Sequence, residues 1–386
     1  MGKYNFDAEL NRRGTDSLKW DVADTELPMW VADMDFATAP EITQAVVDRA
    51  RQGIYGYTTV PQRWYDAVGG WWRNRHGMDI PAEWLCFCTG VVPAISSMVK
   101  RLTNVGDNVL VQTPVYDIFF HSIENFGRHV LENELVYADG GYGIDFADLE
   151  SKLACPLTTL MILCNPHNPI GRVWTRGELA KIGELCFKHG VTVITDEIHC
   201  DLTAPNVEYT PFLSVSAECR QVGVMCMSAS KAFSTPGLQS AAVAVPDAHL
   251  RAKVTRGLNS DEVAEPNCFA IEGTVAAFTR GMDWLDELRQ YLWDNRAQVC
   301  QFVRQNLPML KVVPQQATYL MWIDCGAVTD DAEKLCKHIR KSTGLYVTAG
   351  NQYRGNGKRF MRLNVACPRS RLTDGLARLK RGVETY

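Results

Sequence analysis

The chain has 386 residues, of which 46% are hydrophobic, and its formal net charge is -4. This length is enough for about two or three domains with a substantial core, and such a charge provides no basic field that would hold a nucleic-acid backbone. Residues 1–10 lack the apolar core of a signal peptide, and no run approaches the roughly 18 apolar residues that cross a membrane. We therefore expect a cytoplasmic globular enzyme that binds neither nucleic acid nor membrane.

Cysteines are numerous but carry no metal-site or redox pattern. There are 13 of them, and the close pair, Cys86 and Cys88, lacks the CxxC spacing. We interpret them as reduced thiols of the core and predict no metal site.

Short apolar runs rich in β-branched residues alternate with amphipathic stretches up to about residue 280. The predicted strands are 108–112, 158–163, 191–195, 222–227 and 240–245. Helices are predicted between them, such as 175–189, where Thr175 and Glu178 form a capping-box pattern and Gly190 ends the helix. This alternation predicts an α/β fold with a mainly parallel sheet wrapped in helices.

The pattern changes in the last third of the chain. Apolar residues recur at helical spacing from Trp284 to Val303, which predicts one long helix. Strand-like segments follow at 318–323 and 359–365, with a helix at 331–342. We expect a large domain at 46–284, and a small domain that consists of 1–45 and 285–386.

Two residues at the ends of predicted strands could carry chemistry. Lys231 ends the sequence Ser-Ala-Ser-Lys that follows strand 222–227, where a desolvated amine of lowered pKa could form a Schiff base. Asp196 directly follows strand 191–195, and ligands bind at the carboxyl ends of strands in open α/β sheets. Asp196 either caps the next helix or holds a protonated ring nitrogen of a cofactor.

Two loops add further polar groups. Residues 165–171 (NPHNPIG) form an extended turn, and the amides of its asparagines can donate hydrogen bonds to a phenolic oxygen. Residues 90–93 (GVVP) precede a helix-like stretch at 94–102, and the free N–H groups of a helix N-terminus bind phosphate well.

Together these segments resemble a known enzyme family. The similar segments are LPMWVADMDF (27–36), YGYT (55–58), GVVPA (90–94), QTPVY (112–116), LCNPHNPIGRVW (163–174), DEIHCD (196–201), SASKAF (228–233) and FMRLNVACPRS (360–370). In this order they resemble fold type I enzymes that depend on pyridoxal 5′-phosphate (PLP), within the class I/II aminotransferase superfamily. They are most similar to its cystathionine β-lyase branch, the C–S lyases of the MalY/PatB type.

The resemblance implies a fold and a set of PLP contacts. The fold would be a three-layer α/β/α large domain of the PLP-dependent transferase type, with a mostly parallel sheet, plus a smaller α+β domain. Lys231 would hold PLP as a Schiff base, and Asp196 would pair with the pyridine nitrogen. The remaining contacts would be Asn168 and His199 near the cofactor O3′, Tyr116 stacked on the ring, and Val91, Val92, Ser228 and Ser230 at the phosphate.

The resemblance also implies substrate contacts and an assembly. Arg362 would bind the α-carboxylate of an amino-acid substrate, since a guanidinium matches a carboxylate with two parallel hydrogen bonds. The enzyme would be a homodimer in which Tyr57 reaches the phosphate of the partner subunit. Lys231 would move the proton at the substrate Cα, and Lys231, Tyr116 or Tyr57 could protonate the leaving thiolate.

The implied reaction is β-elimination of cysteine thioethers to a thiol, pyruvate and ammonia. The alternative is a class I/II aminotransferase that uses an amino acid and a 2-oxo acid. Many aminotransferases have a Gly-Leu-Arg segment after the lysine, whereas this chain has Gly237-Leu238-Gln239. This departure favours the lyase.

Two hypotheses from other classes compete with this interpretation. Ser228 and Lys231 fit the Ser-x-x-Lys pattern of penicillin-interacting hydrolases, but the chain lacks a Ser-Asp-Asn element and a Lys-Thr-Gly strand. A regulatory binding protein on the same scaffold is disfavoured, because Lys231, Asp196, Asn168 and Arg362 are all present.

Overall fold

The structure is a computed structural model that describes residues 2–386. Its helices are α1 (Pro40–Arg51), α2 (Gln62–His76), α3 (Val91–Leu102), α4 (Ile118–Glu124), α5 (Phe146–Leu153), α6 (Arg176–His189), α7 (Ala217–Val222), α8 (Ala248–Ser260), α9 (Ala270–Arg280), α10 (Met282–Asn306), α11 (Ala332–Thr343) and α12 (Arg369–Glu384). Its strands are β1 (Leu27–Pro28), β2 (Leu85–Cys88), β3 (Asn108–Val111), β4 (His129–Glu132), β5 (Val136–Ala138), β6 (Gly141–Gly143), β7 (Thr158–Cys164), β8 (Thr192–Asp196), β9 (Gly223–Met227), β10 (Ala241–Ala244), β11 (Lys311–Val312), β12 (Leu320–Asp324), β13 (Leu345–Tyr346), β14 (Thr348–Ala349) and β15 (Phe360–Asn364).

A seven-stranded sheet forms the centre of the molecule. Its strand order is β2-β10-β9-β8-β7-β3-β4, and every neighbouring pair is parallel except those that involve β10. The predicted mainly parallel sheet is therefore confirmed. The five predicted strands correspond to β3, β7, β8, β9 and β10, with ends that differ by one residue at most.

Helices cover both faces of this sheet, because both faces of its strands are apolar. In β3, Val109 and Val111 join a core cluster with α3, α4 and α8, whereas Leu110 joins a second cluster with α2, α5, α6 and α9. This alternation follows from the two-residue period of a strand. The result is the predicted three-layer α/β/α arrangement.

A four-stranded sheet, in the order β11-β12-β15-β14, contains the C-terminal strands. The same part of the chain contains three helices, α10, α11 and α12. The helix predicted from Trp284 to Val303 is present within α10. The strands of the two sheets fall on either side of residue 285. The domain bounds at 46–284 remain a prediction.

The connection between β7 and β8 shows how local sequence determines an element. Thr175 accepts a hydrogen bond from the backbone N–H of Glu178, and the Glu178 carboxylate accepts one from the backbone N–H of Thr175. Gly190 adopts a left-handed conformation with φ of 68° at the other end of α6. The predicted capping box and glycine stop are therefore both observed.

Two further expectations concern the whole chain. The cysteines are all free thiols, and most of them are buried. Among residues 2–386, no helix has the length and the apolar character that a membrane crossing requires.

Candidate active site

A cavity of about 290 Å³ lies where the carboxyl ends of β7, β8 and β9 meet the N-terminus of α3. Parallel strands end at the same edge of a sheet, so side chains that follow them converge there. The lining residues are Ala32, Thr89, Gly90, Val91, Val92, Pro93, Tyr116, Cys164, Asn168, Asp196, Ile198, His199, Ser230, Lys231, Pro236, Gln239 and Ser240. Eight of the predicted site residues are in this set, namely Val91, Val92, Tyr116, Asn168, Asp196, His199, Ser230 and Lys231.

Lys231 provides the amine of the cavity. It lies in the loop after β9, and its Nζ donates a 2.7 Å hydrogen bond to the backbone oxygen of Ala32. Burial lowers the pKa of Lys231 to about 8; the Arg362 guanidinium acts in the same direction, and the carboxylates of Asp33 and Asp196 oppose it. The lowered pKa leaves about a tenth of this amine unprotonated at pH 7, far more than in an ordinary lysine, and a nucleophile or a base requires the unprotonated form.

Asp196 provides a buried carboxylate at the end of β8, level with Cys164 on β7 and Cys226 on β9. Its Oδ1 accepts a 3.1 Å hydrogen bond from the N–H of Ile198. Burial raises the pKa of Asp196 to about 6, although the Ile198 N–H and the charge of Lys231 act against this rise. A cationic group placed beside Asp196 would lower the pKa of the carboxyl and be stabilised in return.

His199 follows Asp196 within the same turn and is neutral in this environment. Burial, together with the positive charges of Lys231 and Arg362, lowers the pKa of His199 to about 3. Its Nδ1 is buried without a hydrogen-bond partner among residues 2–386. Tyr116 also lines the cavity, and burial raises the pKa of its hydroxyl to about 12, so this hydroxyl remains a proton donor.

Arg362 is a buried cation whose hydrogen-bond partners are uncharged. From β15, its Nη1 donates to Oδ1 of Asn168 at 3.1 Å, and its Nη2 donates to the backbone oxygen of Trp30 at 3.0 Å. The guanidinium carbon lies 5.0 Å from the ring centroid of Tyr353. Its Nε is buried with no partner in the described part of the chain. A buried cation in this state is suited to an anionic ligand.

The N-terminus of α3 forms the opposite end of the cavity. Helix α3 begins at Val91, three residues earlier than the predicted stretch, with Gly90 as its N-cap and Pro93 in the first turn. The free N–H groups of Val91 and Val92 therefore lie where an anion would be stabilised. Ser230 and Ser240 line the same cavity.

The polar groups of the cavity fit PLP, and one buried atom, Nδ1 of His199, lacks a hydrogen-bond partner in the described part of the chain. The unpartnered Nδ1 of His199 needs a polar ligand in the cavity, since leaving such an atom unpaired costs free energy. PLP carries a phosphate, a phenolic oxygen, a ring nitrogen and an aldehyde. The cavity offers a helix N-terminus, the side chains of Asn168 and His199, the carboxylate of Asp196 and the amine of Lys231, one for each of these groups.

The comparison with family models decides the family. Residues 27–379 match the model of the class I and II aminotransferases, which is most of the chain. The chain belongs to this family. The membership predicted from the eight sequence segments is therefore confirmed, and the cavity lies within the matched range.

Individual members of the class I and II aminotransferase family are similar over their whole length. Cystathionine β-lyase PatB of Bacillus subtilis is 45% identical over 97% of this chain and 99% of its own. Protein MalY of Escherichia coli is 33% identical over 97% and 98%. The crystal structure of cystalysin from Treponema denticola, which contains a pyridoxal 5′-phosphate cofactor, is 29% identical with a TM-score of 0.96 and covers 99% of each chain. The predicted PLP-dependent transferase-like fold is thereby confirmed.

Three predicted site residues lie outside the cavity lining of this family member. Ser228 donates to the backbone oxygen of Ser240 at 2.6 Å and accepts from the N–H of Ser230 at 3.0 Å, so it shapes the loop in this structure. Arg362 contacts the cavity through Asn168. Tyr57 is fully exposed in the irregular segment between α1 and α2. The catalytic and binding roles of all the predicted residues remain predictions.

Several lining residues were not singled out from the sequence. Ala32 belongs to the quoted segment LPMWVADMDF, which was therefore the signal for it, although no role was assigned to any of its residues. Cys164 follows a predicted strand next to the asparagine loop. Tyr353 does not line the cavity, but its ring lies beside Arg362 because the chain folds back from β14, and no sequence pattern indicated it.

Proposed function

We propose that this chain is a PLP-dependent C–S lyase that cleaves the Cβ–S bond of cystathionine or a related cysteine thioether. The products are a thiol, pyruvate and ammonia. The observation that carries this proposal is the end-to-end similarity to PatB, a cystathionine β-lyase, in a chain whose cavity holds Lys231, Asp196 and His199 together.

The cavity residues divide the work of holding the cofactor and the substrate. When bound, PLP supplies an aldehyde that takes up amines and a ring that withdraws electrons from the substrate Cα. Asp196 holds the proton at the ring nitrogen, and the N-terminus of α3 with Ser230 holds the phosphate. Arg362 orients the substrate α-carboxylate, because its guanidinium has an Nε donor to spare and no carboxylate partner, and Asn168 holds the phenolic oxygen of the cofactor.

Proton transfer at the substrate Cα is assigned to Lys231. Its lowered pKa, about 8, lets the free amine accept a proton and return it at neutral pH. The sulfur leaving group needs a proton donor on the same side of the cavity. Tyr116 can serve, since its pKa of about 12 keeps its hydroxyl protonated, and Lys231 and Tyr57 are the other candidates.

The alternative activity in this family is transamination. Gln239 lines the cavity where many aminotransferases carry an arginine that neutralises the phosphate. This difference in charge at the phosphate end supports elimination as the main reaction. Neither reaction requires a change in the positions of Lys231 or Arg362.

We also propose that the enzyme is a homodimer in the cytoplasm. Ile54, Tyr55 and Tyr57 are exposed apolar or aromatic side chains that are close together in one irregular segment, as in a surface that a partner subunit covers. Tyr57 would then contact the phosphate in the partner's cavity. The free thiols support a reducing compartment.

The test combines absorbance with product analysis. We expect the purified protein to show a visible absorbance band that bleaches on borohydride reduction and to release pyruvate and thiol in equal amounts from L-cystathionine. Lys231→Ala should lose both the reducible band and turnover, whereas Lys188→Ala, which changes an exposed lysine paired with Glu150, should retain both. Amino-group transfer to a 2-oxo acid without pyruvate release would assign the alternative activity. Normal elimination by Lys231→Ala would refute the proposed role of Lys231.

A further inference from the structure

One segment that passes the cavity beside Lys231 has no role in the proposed function. Residues 30–35, named here the crossing segment, come from LPMWVADMDF and are bound to β15. Arg362 donates to the backbone oxygen of Trp30, and Asn364 donates to those of Val31 and Asp33 at 2.6 and 2.8 Å. The backbone oxygen of Ala32 accepts the hydrogen bond from Lys231. The crossing segment therefore links the cofactor lysine to the four-stranded sheet.

Asp33 is the residue of this segment that brings a charge to Lys231. Its Oδ2 accepts a 2.6 Å hydrogen bond from Arg12, and its Oδ1 lies 3.5 Å from Oγ of Ser234, three residues after the lysine. The Asp33 side chain is only 22% exposed. It directly follows Ala32, whose backbone oxygen accepts the hydrogen bond from the Lys231 amine, and its negative charge acts on that amine without a direct ion pair.

Arg12 holds this carboxylate in place. Besides Asp33, its guanidinium donates to the backbone oxygen of Met34 at 2.8 Å and to Oδ1 of Asp35 at 3.1 Å. Lys19 donates to the backbone oxygen of Asp33 at 3.0 Å and pairs with Asp35 at 3.0 Å. Because these contacts fix both the backbone and the side chain, Asp33 has little freedom to turn away.

Four ionisable groups surround the Lys231 amine from different elements. Asp33 on the crossing segment and Asp196 on β8 are negative, Arg362 on β15 is positive, and His199 is neutral because of its lowered pKa. Of these charges, Asp33 has the largest effect on the pKa of Lys231 and raises it. Asp196 is reserved for the ring nitrogen in the proposed function, which leaves Asp33 as the carboxylate that serves the lysine.

We propose that Asp33, held by the crossing segment next to Ala32, is a positioning residue that acts through Lys231: its negative charge sets the proton affinity of the amine that Ala32 holds. When Lys231 takes the proton from the substrate Cα, it becomes an ammonium, and the nearby Asp33 carboxylate stabilises that charge. Arg12 moderates this effect, since its own positive charge opposes it. The part of the proposal that concerns Cα rests on the proposed function, whereas the effect on Lys231 does not.

Two substitutions should change Lys231 in opposite directions. Asp33→Asn removes the stabilising negative charge, so the ammonium should lose its proton at lower pH, with an ionisation constant about tenfold larger. Arg12→Gln removes the positive charge but keeps an amide that can donate to the carboxylate, while Lys19 and Asn364 still hold the Asp33 backbone, so the ionisation constant should fall several-fold. Asp33→Glu keeps the negative charge, so the ionisation constant of Lys231 should stay near that of the parent protein. Asp24→Asn is the matched control, because Asp24 lies in the same N-terminal part of the chain and is fully exposed.

The experiment measures the Lys231 amine directly. The full chain, freed of cofactor, is labelled with limiting acetic anhydride at a series of pH values, and acetylation of Lys231 is quantified by peptide mass spectrometry. The pH dependence of kcat and kcat/KM is then recorded for each holoenzyme. A shift of the Lys231 labelling curve in opposite directions for Asp33→Asn and Arg12→Gln, without a shift in Asp24→Asn, supports the proposal.

Other results would overturn the proposal or separate it from the proposed function. An unchanged labelling curve in Asp33→Asn, or shifts in the same direction in both variants, would show that these residues act only through the folding of the crossing segment. If Asp33→Asn does not fold, the labelling curves of the other two variants decide. A shift to higher pH in Arg12→Gln with an unchanged curve in Asp33→Glu supports the proposal, and any other pair of curves overturns it. Opposite shifts in a protein that lacks elimination activity would support the role of Asp33 and refute the lyase.

Discussion

One residue beside the cavity is notable for the charge that it buries without a counter-ion. Arg362 has an amide and a carbonyl as its hydrogen-bond partners and leaves its Nε unpaired. An isolated buried charge costs several kcal/mol, so a ligand of opposite charge that enters the cavity recovers part of this free energy on binding. This gives Arg362 a binding role that its position in a β-strand alone would not suggest.

The shape of the Arg362 cation, and not its charge alone, should matter for substrate binding. Arg362→Lys keeps the positive charge but loses the paired donors, so kcat/KM for L-cystathionine should fall about 10- to 100-fold, mainly through KM. The visible absorbance band should remain. Arg359→Lys is the control, because Arg359 lies on the same part of the chain and pairs with Asp324 through two hydrogen bonds. Steady-state kinetics of both variants provide the measurement, and equal losses in the two would contradict the assignment.

The site depends on where the strands end and on where the turns that follow them lead. Asn168 lies in the loop between β7 and α6, and this loop is tied to its surroundings by the indole of Trp174, which donates to the backbone oxygen of Cys164 at 3.0 Å. Arg172 pairs with Glu178 at 2.6 Å, next to the capping box of Thr175. The start of α6 is therefore a fixed point at the end of the loop that carries Asn168.

A second prediction tests this helix start. Thr175→Ala removes the side-chain acceptor for the backbone N–H of Glu178 and should cost about 1 kcal/mol of stability. Thr175→Ser keeps the hydroxyl and should remain near the parent. Urea unfolding followed by circular dichroism measures the difference, with kcat expected to change less than twofold. A Ser variant as unstable as the Ala variant would show that the threonine methyl group, and not the cap, is what matters.

The segment between α1 and α2 exposes large apolar and aromatic side chains, which the packing of a single chain does not explain. It places Tyr57 in solvent, although the family resemblance assigns this tyrosine to a phosphate site. An exposed cluster of large side chains is stabilised when a second subunit covers it. The cavity of one chain also lacks any contribution from its own Tyr57.

A third prediction tests whether two chains share a site. Tyr57→Phe and Lys231→Ala should each reduce activity strongly, but in mixed dimers one of the two cavities combines an intact Lys231 with an intact Tyr57. Unfolding and refolding an equal mixture should therefore restore activity to about a quarter of the parent value. Sedimentation should give about twice the chain mass of 43.2 kDa. Activity equal to the sum of the separate variants would contradict a shared site.

Much of the central sheet and of the candidate site could be predicted from the sequence. The strands β3, β7, β8, β9 and β10, the capping box of α6 and the convergence of Asp196 and Lys231 follow from local patterns, because strand periodicity and turn residues act over a few positions. The family resemblance adds Asn168, His199 and Arg362, since each lies in a recognisable segment. Each of these features is indicated by residues that are close to it in the sequence.

Only the tertiary structure decided the contacts between distant parts of the chain. The hydrogen bond from Lys231 to Ala32, the contact of Asp33 with Ser234 and the ring of Tyr353 beside Arg362 each join residues that no local period relates. The burial that lowers the pKa of Lys231 to about 8 and raises that of Asp196 to about 6 likewise depends on the packing around them. The sequence thus determined which chemical groups are present and which strands carry them, whereas folding determined their distances and their exclusion from water, on which their reactivity depends.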